Sequence, residues 1–178
     1  MRNESKPDAL PVRIARAAGF TLIELLIAVV IVGILARIAI PAYSQYILRG
    51  NLASATNALN AASAQMEQYF QDNRSYTTVG TLNPPCMTSA QIGQFVVSCA
   101  APTSGHAPSG MPAATTTAST YVLVAQGGFD TTGAANSALP TSGFWFTLDN
   151  TGTKTSSVPS TFGAGCTSGW MVKPGVCS

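Results

Sequence analysis

The sequence predicts an α+β protein in which a long amino-terminal helix packs on a small antiparallel β-sheet head. Three observations carry that expectation. An apolar stretch at 20–40, interrupted only by Thr21, Glu24 and Arg37, follows a basic segment. Beyond it, Leu48, Leu52, Ala55, Leu59, Ala62, Met66 and Tyr69 recur at spacings of four and three, the stripe of an amphipathic helix. From Ser75 onward Gly, Pro, Ser and Thr dominate, and short apolar runs alternate with turn residues.

The basic segment comes first. Arg2, Lys6, Arg13 and Arg16 stand there against Glu4 and Asp8, so residues 1–19 hold the whole net charge of +2, and the remaining 159 residues balance five cations against five acids. That balance leaves no overall basic footprint and disfavours nucleic acid as a partner. The 178 residues are 46% apolar and only 9% charged, against roughly 25% charged in an ordinary soluble domain. Within the apolar stretch, 25–36 has no polar side chain. A bilayer core needs about 20 such residues, so 20–47 reads as a transmembrane or filament-core half whose basic flank is cytoplasmic. A secretory signal would need a small-residue cleavage site after its core, where Arg37 and Pro41 stand instead.

Residues 48–75 form the amphipathic half. Its outer face of Asn51, Ser54, Asn57, Asn60, Gln68 and Gln71 is polar but neutral, and Asn73 is a stop signal. A single helix over 20–73 would run roughly 80 Å at ~1.5 Å per residue. Gly33, Pro41 and Gly50 are expected to soften or kink it. In the head, 76–178, the runs 95–97, 121–124 and 144–148 read as strands of a three- or four-stranded sheet that buries one face on the stripe. Loops of small residues at 100–120 and 127–143 separate them. Trp145 is expected in the core, and Trp170 beside the last cysteines.

Catalysis finds no support. The sequence lacks a glycine-rich phosphate loop, a nucleophile elbow and a spaced Ser, His and Asp set. Glu67, Asp72, Asp130 and Asp149 read as solvent-facing or capping acids. No enzyme activity and no cofactor are expected. Cys86, Cys99, Cys166 and Cys177 all follow the apolar stretch, where an exported domain meets an oxidising compartment. Their spacing does not suit zinc, and His106 is the single histidine, so no metal site is expected. Four cysteines allow three pairings; the sequential one, Cys86 with Cys99 and Cys166 with Cys177, is favoured because each bond closes a short loop.

Gly19-Phe20-Thr21-Leu22-Ile23-Glu24, set between the basic leader and the apolar run, resembles the processing site of type IV pilins and the related pseudopilins. The likeness extends through Ile40-Pro41-Ala42-Tyr43, Tyr46-Ile47-Leu48-Arg49, Glu67-Gln68-Tyr69-Phe70 and Asp72-Asn73-Arg74-Ser75-Tyr76, about a third of the chain. It implies cleavage between Gly19 and Phe20 by a membrane prepilin peptidase, followed by N-methylation of Phe20. A leader of 19 residues is long for the class, and a start at Val12 would leave eight. An intramembrane carboxylate costs on the order of 3 kcal/mol unless paired. Glu24 lies one helical turn from the amine that cleavage creates, within reach of its own or a neighbour's terminus. The resemblance favours the neighbour, which makes Glu24 the assembly residue. The last cysteine pair resembles the disulfide-closed loop common in type IV pilins.

The resemblance implies a structural subunit of a type IV pilus, most like a minor pilin, with motility and adhesion as the attendant activities. Its expected partners are other pilin subunits, the prepilin peptidase/methyltransferase, the inner-membrane assembly machinery, and membrane lipid before assembly. The expected location is the bacterial inner membrane with a periplasmic head, then the extracellular pilus. A type II secretion pseudopilin, a DNA-uptake pilin and an adhesive minor pilin are the alternatives.

Overall fold

The structure is a computed structural model, and it describes residues 19–99 and 115–178. The leader up to residue 18, the Val12 start, His106 and the greater part of the 100–120 loop lie outside the described residues. The chain divides into two units, 1–41 and 42–178.

Helix α1 runs over Leu22–Asn73, 52 residues, with Pro41 inside it. It starts two residues later than expected because Thr21 serves as the cap. The Thr21 hydroxyl accepts the Glu24 amide at 3.3 Å, and the Thr21 carbonyl accepts the Leu25 amide at 3.2 Å. Thr followed three residues later by Glu is the sequence pattern of a capping box. Gly33, Pro41 and Gly50 do not interrupt the helical assignment. Proline removes a single amide donor, and the turns on either side keep their own bonds. The end falls at Asn73: Arg74 takes φ 55°, its amide donates to the Phe70 carbonyl at 2.7 Å, and Asn73 Nδ2 donates to the Tyr69 carbonyl at 3.0 Å. This is a left-handed stop supplied by a residue other than glycine.

In the first unit the apolar side chains face outward; Leu22 is 77% and Ile38 70% exposed. α1 is long and apolar enough to cross a membrane.

The second unit holds a five-stranded antiparallel sheet in the order β1 (Ala90–Ile92), β2 (Phe95–Ser98), β3 (Val122–Gly127), β4 (Trp145–Asp149), β5 (Lys154–Ser157). The three expected runs became β2, β3 and β4, and β1 and β5 are additions. A tight turn with Gly93 at φ 59° joins β1 to β2. Between β4 and β5, the Asp149 carboxylate accepts the amides of Thr151 and Thr153, each at 2.9 Å, and the Thr151 hydroxyl at 2.6 Å. Burial pushes the Asp149 carboxyl up, but these bonds outweigh it and hold it below its ordinary value. Gly152, at φ 80°, completes this Asx-type turn. The outer edge of β5 is covered. Ser156 and Cys166 exchange two backbone bonds of 2.8 Å, and the Gly169 amide donates to the Lys154 carbonyl at 2.8 Å.

One cluster forms the core. Leu52, Ala55, Leu59 and Met66 of α1 meet Phe95 and Val97 of β2, Leu123 and Ala125 of β3, and Phe146 and Leu148 of β4. Leu48 and Ala62 of the expected stripe pack at its margin. Alternation along β4 puts Trp145 on the other face of the sheet from Phe146, and it is buried there. Trp170 is buried in the core cluster, donating its Nε1 proton to the Thr147 carbonyl at 2.9 Å, with the Lys154 ammonium 4.5 Å above its ring. Disulfides join Cys86 to Cys99 and Cys166 to Cys177.

Candidate functional site

Gly19 and Phe20 stand exposed immediately before α1, and Phe20 is 84% exposed. Glu24 occupies the first turn of α1 and is exposed as well. A carboxylate in that position complements the positive end of the helix dipole, so Glu24 suits the helix start as well as any charge partner. The segment offers an open peptide bond, a capped helix start and one acid ahead of an uninterrupted apolar face.

On the amphipathic half of α1, Glu67 departs from its expected solvent-facing or capping role. Tyr76 Oη donates to both of its carboxylate oxygens, at 3.0 and 3.1 Å, and Tyr121 Oη donates to Oε1 at 3.1 Å. Ser63 Oγ lies 2.8 Å from Tyr121 Oη. Phe70 stacks on Tyr76 at 4.5 Å, and Tyr76 meets Tyr121 edge-on at 4.8 Å between ring centres. Burial, reinforced by the bond to Glu67, pushes the Tyr76 phenol up to about 12. The Tyr121 phenol is also raised, first by burial and then by Glu67, against the opposing bond from Ser63. The cluster ties α1 to the segment that follows it and to the residue before β3. Tyr69 adds a second tie, its hydroxyl lying 3.0 Å from the Thr77 and 2.9 Å from the Leu82 carbonyl oxygen. No spacing rule links Glu67 to Tyr121, 54 positions away, so only the fold reveals the cluster. Its chemistry is that of two phenols held by one carboxylate.

Asp130 and Asp149 hold turns, as end-of-strand acids would. Thr132 hydroxyl and amide bonds, with that of Ala134, hold the Asp130 carboxyl below its ordinary value. Asp72 is exposed. Among the described residues no group of three or more His, Cys, Asp or Glu side chains is placed to hold a metal.

The cations of the second unit are distributed differently. Arg49, Arg74 and Lys173 are exposed. Arg49 lines a recess of about 280 Å³ with Gln45, Leu48, Thr161, Phe162 and Pro174, and Lys173 is the neighbour of that proline. Three of the four acids in this unit accept hydrogen bonds from their own chain. An even count of charges therefore does not mean an even display of them.

A helix with an apolar, processable start, packed through its second half on a disulfide-bonded meander, defines a type IV pilin. The chain belongs to the family of the type IV minor pilin ComP, described as a DNA uptake sequence receptor, whose family model matches residues 41–137. Residues 14–39 match the prokaryotic N-terminal methylation motif. Among curated relatives, fimbrial protein EcpC of Eikenella corrodens is 44% identical over 54 residues, 30% of this chain and 35% of its own. Type IV major pilin PilE1 of Neisseria gonorrhoeae is 37% identical over 71 residues, 38% of this chain and 43% of its own. Type IV major fimbrial protein FimA of Dichelobacter nodosus is 46% identical over 54 residues, 30% of this chain and 34% of its own. The chain thus spans less than half the length of the curated relatives it matches. The expectation that disfavoured nucleic acid conflicts with the description of this family model, a DNA uptake sequence receptor. A receptor requires only a local set of cations facing the phosphates, and a net charge summed over the whole chain is blind to that.

Proposed function

We propose that this minor pilin is a DNA-uptake receptor displayed on a type IV pilus. The observation that carries the reading is the match of residues 41–137, most of them in the head, to the DNA uptake sequence receptor family. The exposed Arg74 and Lys173, together with Lys154 over Trp170, supply cations for phosphate contacts. Among the readings open at the sequence level, this alternative stands above a purely structural minor pilin.

In this reading residues 1–19 are the leader, 20–47 the membrane and filament-core half, 48–75 the amphipathic half and 76–178 the head. Cleavage after Gly19 frees Phe20, which is methylated. Glu24 pairs with a neighbouring subunit's amino terminus during assembly. The precursor resides in the inner membrane with its head in the periplasm, and the processed subunit joins a surface fibre.

The test incubates the processed, disulfide-bonded protein with sheared DNA from its own source and sequences the duplexes retained at moderate salt. A short recurring sequence should be enriched over the input. Retention without enrichment would reduce the receptor to a non-specific binder, and no retention even at low salt would overturn DNA uptake as its role.

A further inference from the structure

We propose that the recess bounded by Gln45, Leu48, Arg49, Thr161, Phe162 and Pro174 seats the phosphate of a glycerophospholipid headgroup while the chain is still in the membrane. This rests on the inner-membrane precursor of the reading above.

Three observations converge on it. The lining is chemically suited to a phosphate ester. Arg49 offers a forked cation, Gln45 an amide and Thr161 a hydroxyl, all able to donate to phosphate oxygens. Leu48 and Phe162 supply apolar wall for the glycerol and the first methylenes, and no acid lines the recess. The second observation is position along the chain. Arg49 follows Ile40, the last residue of the apolar stretch, by nine residues. Tyr43 and Tyr46, between them, are 68% and 74% exposed. Exposed tyrosines just beyond an apolar span settle at headgroup level, and a basic side chain close behind them meets the phosphate layer. The third is that the recess has two walls of different origin. One is α1; the other comes from the segment around the Cys166–Cys177 loop, whose disulfide encloses Pro174. A lipid seated there would bridge α1 and the carboxy-terminal loop.

Position is also what favours lipid over DNA as the source of the phosphate. The cation of the recess, Arg49, lies on the stretch of α1 that directly follows the membrane run, whereas Arg74, Lys154 and Lys173, assigned above to DNA, follow the helix.

The experiment reconstitutes the full chain into vesicles of phosphatidylethanolamine and phosphatidylglycerol. Co-flotation is measured first, and then the phosphatidylglycerol retained per chain by native mass spectrometry. Wild type should float and retain lipid. Arg49→Ala should float equally and lose about fivefold in retained lipid, the effect of one interfacial cation. Arg49→Lys should recover part of the loss. Unchanged disulfide maps show that the variants fold. Wild-type protein that fails to float would sink the membrane-resident precursor and the site with it. Flotation with equal lipid retention by Arg49→Ala would overturn the recess alone. Displacement of the lipid by millimolar inorganic phosphate would mark a soluble-anion site instead. If Arg49→Ala weakened binding of a duplex oligonucleotide and left lipid retention intact, the recess would belong to DNA and the proposal would fall.

Discussion

Glu24 and Glu67 lie on one helix and meet opposite environments. Glu24 stands exposed ahead of residues 25–36, which have no polar side chain, so its charge is costly in lipid beyond what the helix start offsets, and a cation that meets it removes that cost. Glu24→Ala should therefore insert with equal or greater ease, be cleaved after Gly19 and form both disulfides. It should nevertheless be depleted from sheared filaments when these are probed by immunodetection; wild-type incorporation would make the inter-subunit pairing dispensable. Glu67 is satisfied within its own chain by two tyrosine hydroxyls. Glu67→Ala takes the acceptor from Tyr76 and leaves Tyr121 with Ser63 alone, and should cost about 1–3 kcal/mol in denaturant unfolding, while Glu67→Gln, which keeps an acceptor oxygen, should cost less. Alkali probes the same cluster. Because the folded Tyr76 phenol titrates near 12 and a free tyrosine near 10, the folded state holds its proton more tightly. The stabilisation is complete below about pH 10 and is lost as the pH rises through the folded value of about 12. Ultraviolet titration should show two late-ionising tyrosines, and Tyr76→Phe should remove one of them while Tyr121 still ionises late.

The helix was the most legible element, because its stripe and its stop rest on spacings of three and four that no tertiary contact has to supply. Its start was legible only to within two residues, since the cap at Thr21 is a hydrogen bond and not a change in polarity. Strands β2, β3 and β4 announced themselves through Phe95, Leu123 and Phe146, which the core buries completely. Strand β5, Lys154-Thr155-Ser156-Ser157, has no apolar residue and is held by its ladder to β4 and by the loop beyond it. Strand β1 is three residues long with one partly buried side chain, too short for an alternation to register. The role of Glu67 stayed hidden for a related reason: a carboxylate on the polar side of a helix looks the same whether it meets water or a tyrosine from another strand. The loop that edges β5 makes its own prediction. Selective reduction of Cys166–Cys177 should lower stability by about 2–4 kcal/mol. It should also speed amide exchange at Ser156, whose bond partner Cys166 is one end of that disulfide. Unchanged exchange would show that the loop holds the edge without its covalent tie.

For the whole molecule, the proposed DNA recognition sets a limit that salt can measure, because residues 20–178 balance five cations against five acids. If only Arg74, Lys154 and Lys173 face phosphates, the logarithm of duplex affinity should fall with the logarithm of salt at a slope of about −3, near −0.9 per contact. A slope several times steeper would mean that cations elsewhere in the chain take part. The sheet itself has two unlike margins. One is closed by the backbone bonds from Cys166 and Gly169 to β5, and the other is β1, the terminal strand. In the vocabulary of polymer chemistry, the β5 margin is a capped end: a second sheet arriving there finds the backbone groups of Lys154 and Ser156 already paired. Sheet growth through that margin is thereby denied to a head that belongs to a family of polymerising subunits.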